Sequence, residues 1–176
     1  MYKRQVLAEL LCSAVIAIGM PNAHVACLNM STLVESAEQN QIDPVVFVAL
    51  IHVESRWTPK ARSRDNACGL TQVLPRYSSG YGGKFGKRLS CRQLFDPATS
   101  IKRGARILGY WFHKYSRKRY KVALCGYNKG YQCKGRNVSS SGMRYARQVL
   151  RLSKKLKREL RIIKKTEYED VPGCYE

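Results

Sequence analysis

The segment DPVVFVALIHVES, residues 43–55, combines a helix start, an apolar body and a charged end. Asp43 followed by Pro44 is typical of a helix N-terminus, because the carboxylate accepts backbone N–H groups and proline suits the first turn. Five of the six residues from Phe47 to His52 are apolar, so this helix is expected to anchor in the core. The pattern therefore predicts a core helix that ends near Ser55 and carries Glu54 at its end.

The rest of the chain repeats helical signals and lacks strand alternation of useful length, which predicts an all-α fold. Thr32 and Glu35 have the spacing of a capping box, and Asp96 before Pro97 repeats the cap-and-proline start. The stretch from 56 to 92 is rich in loop residues, and long irregular segments are often functional. Helices are predicted at 32–39, 44–55, 97–115 and from 142 onward, with a helical turn at 70–74. Residues 122–126 form a short apolar segment.

Length and charge limit the class of protein. A chain of 176 residues with 44% hydrophobic residues suits one domain plus appendages and is not a disordered composition. The net charge of +20 favours anionic partners, namely nucleic acid, anionic lipid or an anionic cell-wall polymer. Charge alone does not choose among these three.

Residues 1–26 have the order of a signal peptide. Lys3 and Arg4 form a basic start, an apolar run reaches Met20, and small residues offer cleavage after Ala23 or Ala26. The run is too short to span a bilayer comfortably. An uncleaved anchor and a buried N-terminal helix are the alternatives.

The seven cysteines indicate an oxidising compartment. Loss of Cys12 with the leader would leave an even number, six, which is typical of a disulfide framework. A zinc site is not expected, because the sequence has no CxxC and only His52 and His113 remain as imidazoles after the leader.

Candidate chemistry begins at Glu54. A carboxyl group beside apolar walls has a raised pKa, which suits a general acid, although a glutamate near a helix end is usually a solvated surface residue. Three further stretches add amides and rings of the kind found in carbohydrate sites. They are GLTQ at 69–72, GYNKG at 126–130, and Tyr145 in MRYARQVL.

In this order and spacing, Glu54-Ser55, GLTQ, Tyr127-Asn128 and Tyr145 resemble the lytic transglycosylases of the soluble, lysozyme-like type. The resemblance covers about residues 31–152 and is nearest to small exported members associated with phages or with secretion and conjugation systems. The chain departs from the family at Thr71, often methionine, and at Gly126, often alanine.

The resemblance implies a lysozyme-like α-helical domain and a peptidoglycan substrate, with no cofactor or metal. Glu54 would protonate the oxygen between N-acetylmuramic acid and N-acetylglucosamine, and would then deprotonate the muramic C6 hydroxyl that closes a 1,6-anhydro ring. Ser55 and Gln72 would position Glu54 and the sugar, Tyr127 and Asn128 would line the cleft, and Tyr145 would orient the carboxylate.

The resemblance also divides the chain and places it. Residues 27–152 would form the transglycosylase domain, and residues 153–176 a basic amphipathic helix extension with an acidic tail. Disulfides Cys68–Cys91 and Cys125–Cys133 would stiffen the loops that carry the site. The protein would be an exported monomer in the periplasm or cell envelope, or associated with a virion.

Two other functions remain open from the sequence. The nearest is a hydrolytic lysozyme of similar fold, which usually needs a second carboxylate; Asp65 is its candidate, since Asp96 is better explained as a helix cap. The other is a binding module that uses the basic helix from Arg144 to Lys165. A solvated basic face, or attraction to anionic envelope polymers, explains that helix more simply than specific nucleic acid, because its cations are not interleaved with aromatics. Trp57, Trp111 and Tyr110 are further possible sugar platforms, but packing is their commoner role.

Overall fold

A computed structural model describes residues 2–80, 83–134 and 138–169 of the chain. These residues form helices and loops without a sheet, and only two isolated antiparallel bridges occur among them, Arg62 to Cys68 and Cys68 to Val73. The predicted all-α fold is confirmed. The α-helices are α1 (Tyr2–Ala17), α2 (Ala23–Leu28), α3 (Met30–Gln39), α4 (Pro44–Ser55), α5 (Cys91–Leu94), α6 (Pro97–Tyr110), α7 (Tyr120–Lys129) and α8 (Ser140–Glu169).

Helix α4 lies in the core, as its sequence predicts. The Asp43 carboxylate accepts the backbone N–H groups of Val45 and Val46 at 2.8 and 3.4 Å. Every residue from Phe47 to Ile51 is fully buried, and α3 and α8 pack against the helix. An apolar helix is stable only with such cover on all sides.

Helix α8 supplies most of that cover and is amphipathic as predicted. Its inner residues Val149, Leu156 and Leu160 are buried against the core, and the helix packs on α1, α4 and α7. Lys157 pairs with Asp43 at 2.5 Å, which ties α8 to the start of α4. The remaining cations of this helix are exposed and are described below.

The start of α3 corrects one prediction. The capping box of Thr32 and Glu35 is wrong, because the helix begins earlier, at Met30. A single residue, Asn29, separates α2 from α3, and its amide donates to the Val25 carbonyl instead of capping α3. The direct run of one helix into the next leaves no room for a separate cap.

The loop-rich stretch also differs from prediction in detail. The helical turn expected at 70–74 is wrong, since Val73 forms the antiparallel bridge with Cys68 and the turn lies at Pro75–Tyr77. Helix α5 was not predicted, although Ser90 and Gln93 form the capping box that starts it. The predicted bonds Cys68–Cys91 and Cys125–Cys133 are both present.

The N-terminal residues fold onto the same core. Leu11, Ala14 and Val15 of α1 are fully buried, and Cys12 is bonded to Cys27. None of the helices in the described ranges is long and apolar enough to cross a bilayer. Cleavage of residues 1–26 stays a prediction that N-terminal sequencing of the exported protein would test. The start of the acidic tail, residues 166–169, belongs to α8, and residues 170–176 with Cys174 lie outside the described residues.

Candidate active site

The carboxyl group of Glu54 lies at the end of α4, partly buried. Burial raises the pKa of Glu54 from its ordinary value of 4.5 to about 7, and a hydrogen bond from Tyr145 opposes part of this rise. The Tyr145 hydroxyl donates to Glu54 Oε1 at 2.6 Å. A carboxyl group with such a pKa holds its proton near neutral pH and can also release it, as a general acid and base must.

The backbone turns sharply after the glutamate. Arg56 and Trp57 both adopt left-handed conformations, with φ of 50° and 61°. Trp57 is fully buried, so it anchors this turn in the core and is not a sugar platform. The turn ends α4 directly after Ser55 and leaves Glu54 on its last turn.

Tyr127 is the second tyrosine that lies near Glu54. Its hydroxyl donates to the Thr71 carbonyl at 2.7 Å. Burial, and next the charge of Glu54, raise the pKa of both Tyr127 and Tyr145 well above the ordinary value of 10. Both phenols therefore stay protonated and act as neutral hydrogen-bond donors beside the carboxyl group.

Residues 69–72 form a tight loop held by its own polar groups. Gly69 has a φ of +78°, and a Cβ there would lie 2.0 Å from the Leu94 carbonyl oxygen. The Gln72 side chain donates to the carbonyls of Ala61 at 3.1 Å and Gly69 at 2.9 Å. Gln72 therefore holds the shape of the loop through its amide N–H groups.

Thr71 was not predicted as a site residue, yet it connects the loop to α6. Its hydroxyl donates to the Ser100 carbonyl at 2.8 Å, and its backbone N–H donates to Ser100 Oγ at 3.1 Å. A Cβ on Gly104 would lie 2.5 Å from Thr71 Cγ2, so glycine allows α6 to approach. The sequence signal for this contact was the glycine inside an otherwise regular helix.

The other two predicted residues contribute less directly. Ser55 is buried, and its hydroxyl donates to the Ile51 carbonyl of its own helix at 3.2 Å. Asn128 is exposed beside Tyr127 on the last turn of α7. The structure thus joins Glu54, Tyr127 and Tyr145 in one group, while Ser55 is occupied inside α4.

The candidate second carboxylates are placed differently. Asp96 caps α6 by accepting the Thr99 N–H at 2.7 Å, as expected from Asp-Pro. The Thr99 side chain first, and its backbone N–H next, lower the pKa of Asp96 by hydrogen bonding to the carboxylate. Asp65 is exposed and lines a surface pocket of about 220 Å³ with Arg76 and Arg88. Glu54 is the carboxyl group among these three that the tyrosines surround.

Comparison with known proteins finds relatives among the lytic murein transglycosylases. Membrane-bound lytic murein transglycosylase E of Buchnera aphidicola is 31% identical over 84 residues, which cover 46% of this chain and 38% of that protein. Membrane-bound lytic murein transglycosylase C of Haemophilus influenzae is 31% identical over 107 residues, covering 54% of this chain and 29% of that protein. The chain therefore spans well under half the length of these relatives.

Two solved structures share the fold. An inactive mutant of the lytic transglycosylase Slt from Pseudomonas aeruginosa superposes with a TM-score of 0.64 at 19% identity, covering 85% of this chain and 30% of that one. The 70 kDa soluble lytic transglycosylase of Escherichia coli gives a TM-score of 0.61 at 20% identity, covering 77% and 27%. The family model of the Transglycosylase SLT domain matches residues 31–149, most of the chain. With Glu54, Tyr127 and Tyr145 all inside that match, the protein belongs to the Transglycosylase SLT domain family.

Proposed function

We propose that this protein is a peptidoglycan lytic transglycosylase that uses Glu54 as its single acid and base. The observation that carries the proposal is the partly buried Glu54 carboxyl group, with its pKa near 7 and its hydrogen bond from Tyr145. Membership of the family supports the reaction class, and the relatives' names specify murein as their substrate.

The reaction needs only one carboxyl group. Protonated Glu54 gives its proton to the oxygen that bridges N-acetylmuramic acid C1 and N-acetylglucosamine C4, and the C1–O bond breaks. The resulting carboxylate then accepts the proton of the muramic C6 hydroxyl as that oxygen attacks C1. The products are a free C4 hydroxyl and a 1,6-anhydro ring; no water is consumed, and Glu54 ends protonated, as it began.

Tyr145 has a positioning role in this scheme. Its short hydrogen bond to Oε1 fixes the carboxyl group and stabilises the carboxylate that forms midway, which is why it lowers the pKa of Glu54. Tyr127 is held by the Thr71 carbonyl and lies near enough for the charge of Glu54 to act on its hydroxyl group.

Replacing Tyr145 with Phe is expected to lower kcat about 10- to 100-fold by loosening the Glu54 carboxyl group. Activity of the parent protein should fall as pH rises through about 7, because the acid form of Glu54 is lost. Without the tyrosine hydroxyl the pKa of Glu54 rises further, so this fall should move to higher pH. Rates measured from pH 5 to 9 check both effects. An unshifted profile would contradict the assigned hydrogen bond.

Product analysis tests the reaction itself. Purified peptidoglycan is incubated with the protein, and the released muropeptides are identified by mass spectrometry. Anhydro-muramyl ends are expected. Reducing ends, heavier by one water, would show hydrolysis and make the protein a lysozyme. Substitution of Asp65 would then be the next step.

The exposed face of α8 supports a second, weaker attachment to the envelope. Its apolar side is used in packing, so the helix attracts anionic envelope polymers by charge alone. Cosedimentation with envelope fragments should therefore decline steeply between 50 and 300 mM salt. Binding that ignores salt would refute this attraction. The exposed cations include Arg144, Arg147, Arg151, Lys154, Lys155, Arg158, Arg161 and Lys164.

A further inference from the structure

A group of aromatic rings lies at the surface next to the active-site residues. Tyr110, Trp111, Tyr115 and Tyr131, here called the tyrosine patch, have ring centroids 5.0 to 5.9 Å apart in five pairwise contacts. Hydroxyl groups link the three tyrosines, Tyr110 to Tyr115 at 2.9 Å and Tyr115 to Tyr131 at 3.2 Å. The side chains therefore hold one another in a fixed arrangement.

The patch is built by an irregular backbone and is open to solvent. The turn Trp111–Tyr115, which follows α6, is a π-helix, with the Ser116 N–H bonded to the Trp111 carbonyl at 3.1 Å. π-helical turns are rare in proteins overall, and those that occur are often found at functional sites. Tyr131 is 53% exposed, and the other three rings are partly exposed. Trp111 also packs against the hydrophobic core, whereas a core function does not explain the three tyrosine rings.

Two features connect the patch to α7, the helix that carries Tyr127. A Cβ on residue 126 would lie 2.5 Å from Trp111, so Gly126 allows the indole to pack one residue before Tyr127. The Cys125–Cys133 disulfide closes a short loop that contains Tyr127, Asn128 and Tyr131. The end of α7 and the turn after it, joined by this disulfide, thus carry Tyr127 and Asn128 as well as the outermost ring of the patch.

Two cations lie on the same rings. Lys84 Nζ is 5.7 Å from the centre of the Tyr110 ring, and Lys134 Nζ is 5.3 Å from that of Tyr115. Aromatic faces favour the apolar faces of sugars, phenol hydroxyls bind their hydroxyl and amide groups, and lysines attract carboxylates. A saccharide that bears carboxylate groups offers all three: apolar faces for the rings, hydroxyl and amide groups for the phenols, and negative charge for the lysines.

We propose that the tyrosine patch, which packs on α7 at Gly126, is a glycan subsite that stacks a further sugar of the strand on its rings and pairs carboxylates of the attached peptide with Lys84 and Lys134. The proposal deepens the proposed function and rests on it for the identity of the polymer.

Binding can be tested apart from catalysis, in the Glu54→Gln background, by tryptophan fluorescence. Trp57 is fully buried and Trp111 is partly exposed, so a ligand on the patch should change the emission of Trp111. The probes are chitotetraose, which is neutral, and a tetrasaccharide carrying stem peptides. The signal should disappear in a Trp111→Phe variant that keeps the fold.

Substitutions then assign the two parts of the ligand. Tyr131→Ala is expected to weaken both probes about fivefold, since a stacked ring is lost. Lys134→Gln should weaken only the probe with stem peptides. Tyr77→Ala is the matched control, because Tyr77 is also exposed, at 63%, and also carries a cation, Arg76, over its ring. It should leave both affinities unchanged.

The outcomes separate this subsite from the proposed reaction. Unchanged affinities in Tyr131→Ala, or a fluorescence change that survives Trp111→Phe, would overturn the subsite even if anhydro products form. Fivefold weakening with the parent protein producing no anhydro ends would leave the subsite standing and refute the transglycosylase. Equal weakening by Tyr77→Ala would also overturn it, since the loss would then not be specific to the patch.

Discussion

Glu54→Gln is expected to lower the rate of peptidoglycan cleavage about 1000-fold, because the amide can neither donate the proton nor take it back. Release of soluble muropeptides from purified peptidoglycan measures the loss. Glu35→Gln is the matched control, since Glu35 is an exposed glutamate of α3 and should be dispensable. A Glu54→Gln variant that retains a tenth of the activity would contradict the assignment of Glu54 as acid and base.

The same variant should be more stable than the parent protein at high pH. The folded-state pKa of Glu54, about 7, is raised from 4.5, so the folded state holds a proton that the unfolded chain releases between these values. Stability from this group is therefore present below pH 4.5 and is lost as pH rises through 7. Glutamine avoids that loss and should add on the order of 2 kcal/mol to the free energy of unfolding at pH 8.

Denaturant unfolding at pH 5 and pH 8 checks the sign. The difference in the free energy of unfolding between Glu54→Gln and the parent protein should be larger at pH 8 than at pH 5. The difference between Glu35→Gln and the parent should not depend on pH. If that difference became smaller as pH rises, the fold would stabilise the Glu54 carboxylate. This would contradict the burial of Glu54, which raises its pKa. An active site that costs stability in this way is common among enzymes.

Gly69→Ala should destabilise the fold severely, by about 4 kcal/mol or more. A Cβ there would lie 2.0 Å from the Leu94 carbonyl oxygen and 2.8 Å from Ser100 Oγ, at a φ of +78°. The Leu94 carbonyl and the buried Ser100 hydroxyl cannot both move away from the new Cβ unless the contact between the 69–72 loop and α6 is broken. Loss of that contact would also move the Thr71 carbonyl away from Tyr127, so residual activity should fall with stability.

Gly83→Ala separates the clash from the backbone conformation. Gly83 has a similar φ of +72°, but no atom of the described residues lies within 4 Å of a Cβ there. Gly83→Ala should lower the free energy of unfolding by only about 1 kcal/mol, which is the strain of an alanine in the left-handed conformation. Thermal unfolding followed by circular dichroism compares the two. If Gly69→Ala and Gly83→Ala lowered stability equally, the 69–72 loop could relax around the new Cβ, and the close approach of Gly69 to Leu94 would not be required.

Local signals were sufficient where a structure depends on neighbours in sequence. Asp43 and Pro44 start α4, and Asp96 and Pro97 start α6, as the side-chain cap and the fixed proline φ require. The prediction at Thr32 failed because Asn29 joins α2 to α3 directly, a matter of packing. The turn expected at 70–74 failed because the Cys68–Val73 bridge and the bonds of Gln72 shape that loop.

The sequence by itself determined the helical class, the core position of α4 and the presence of Glu54 at its end, since periodicity and caps act within a few residues. Only the tertiary structure decided the chemistry around that carboxyl group. Tyr145 lies 91 residues from Glu54 in the chain, and Tyr127 reaches Thr71 across 56 residues. The raised pKa and the tyrosine patch depend on these distant contacts, because desolvation and ring packing depend on distance in space, not along the chain.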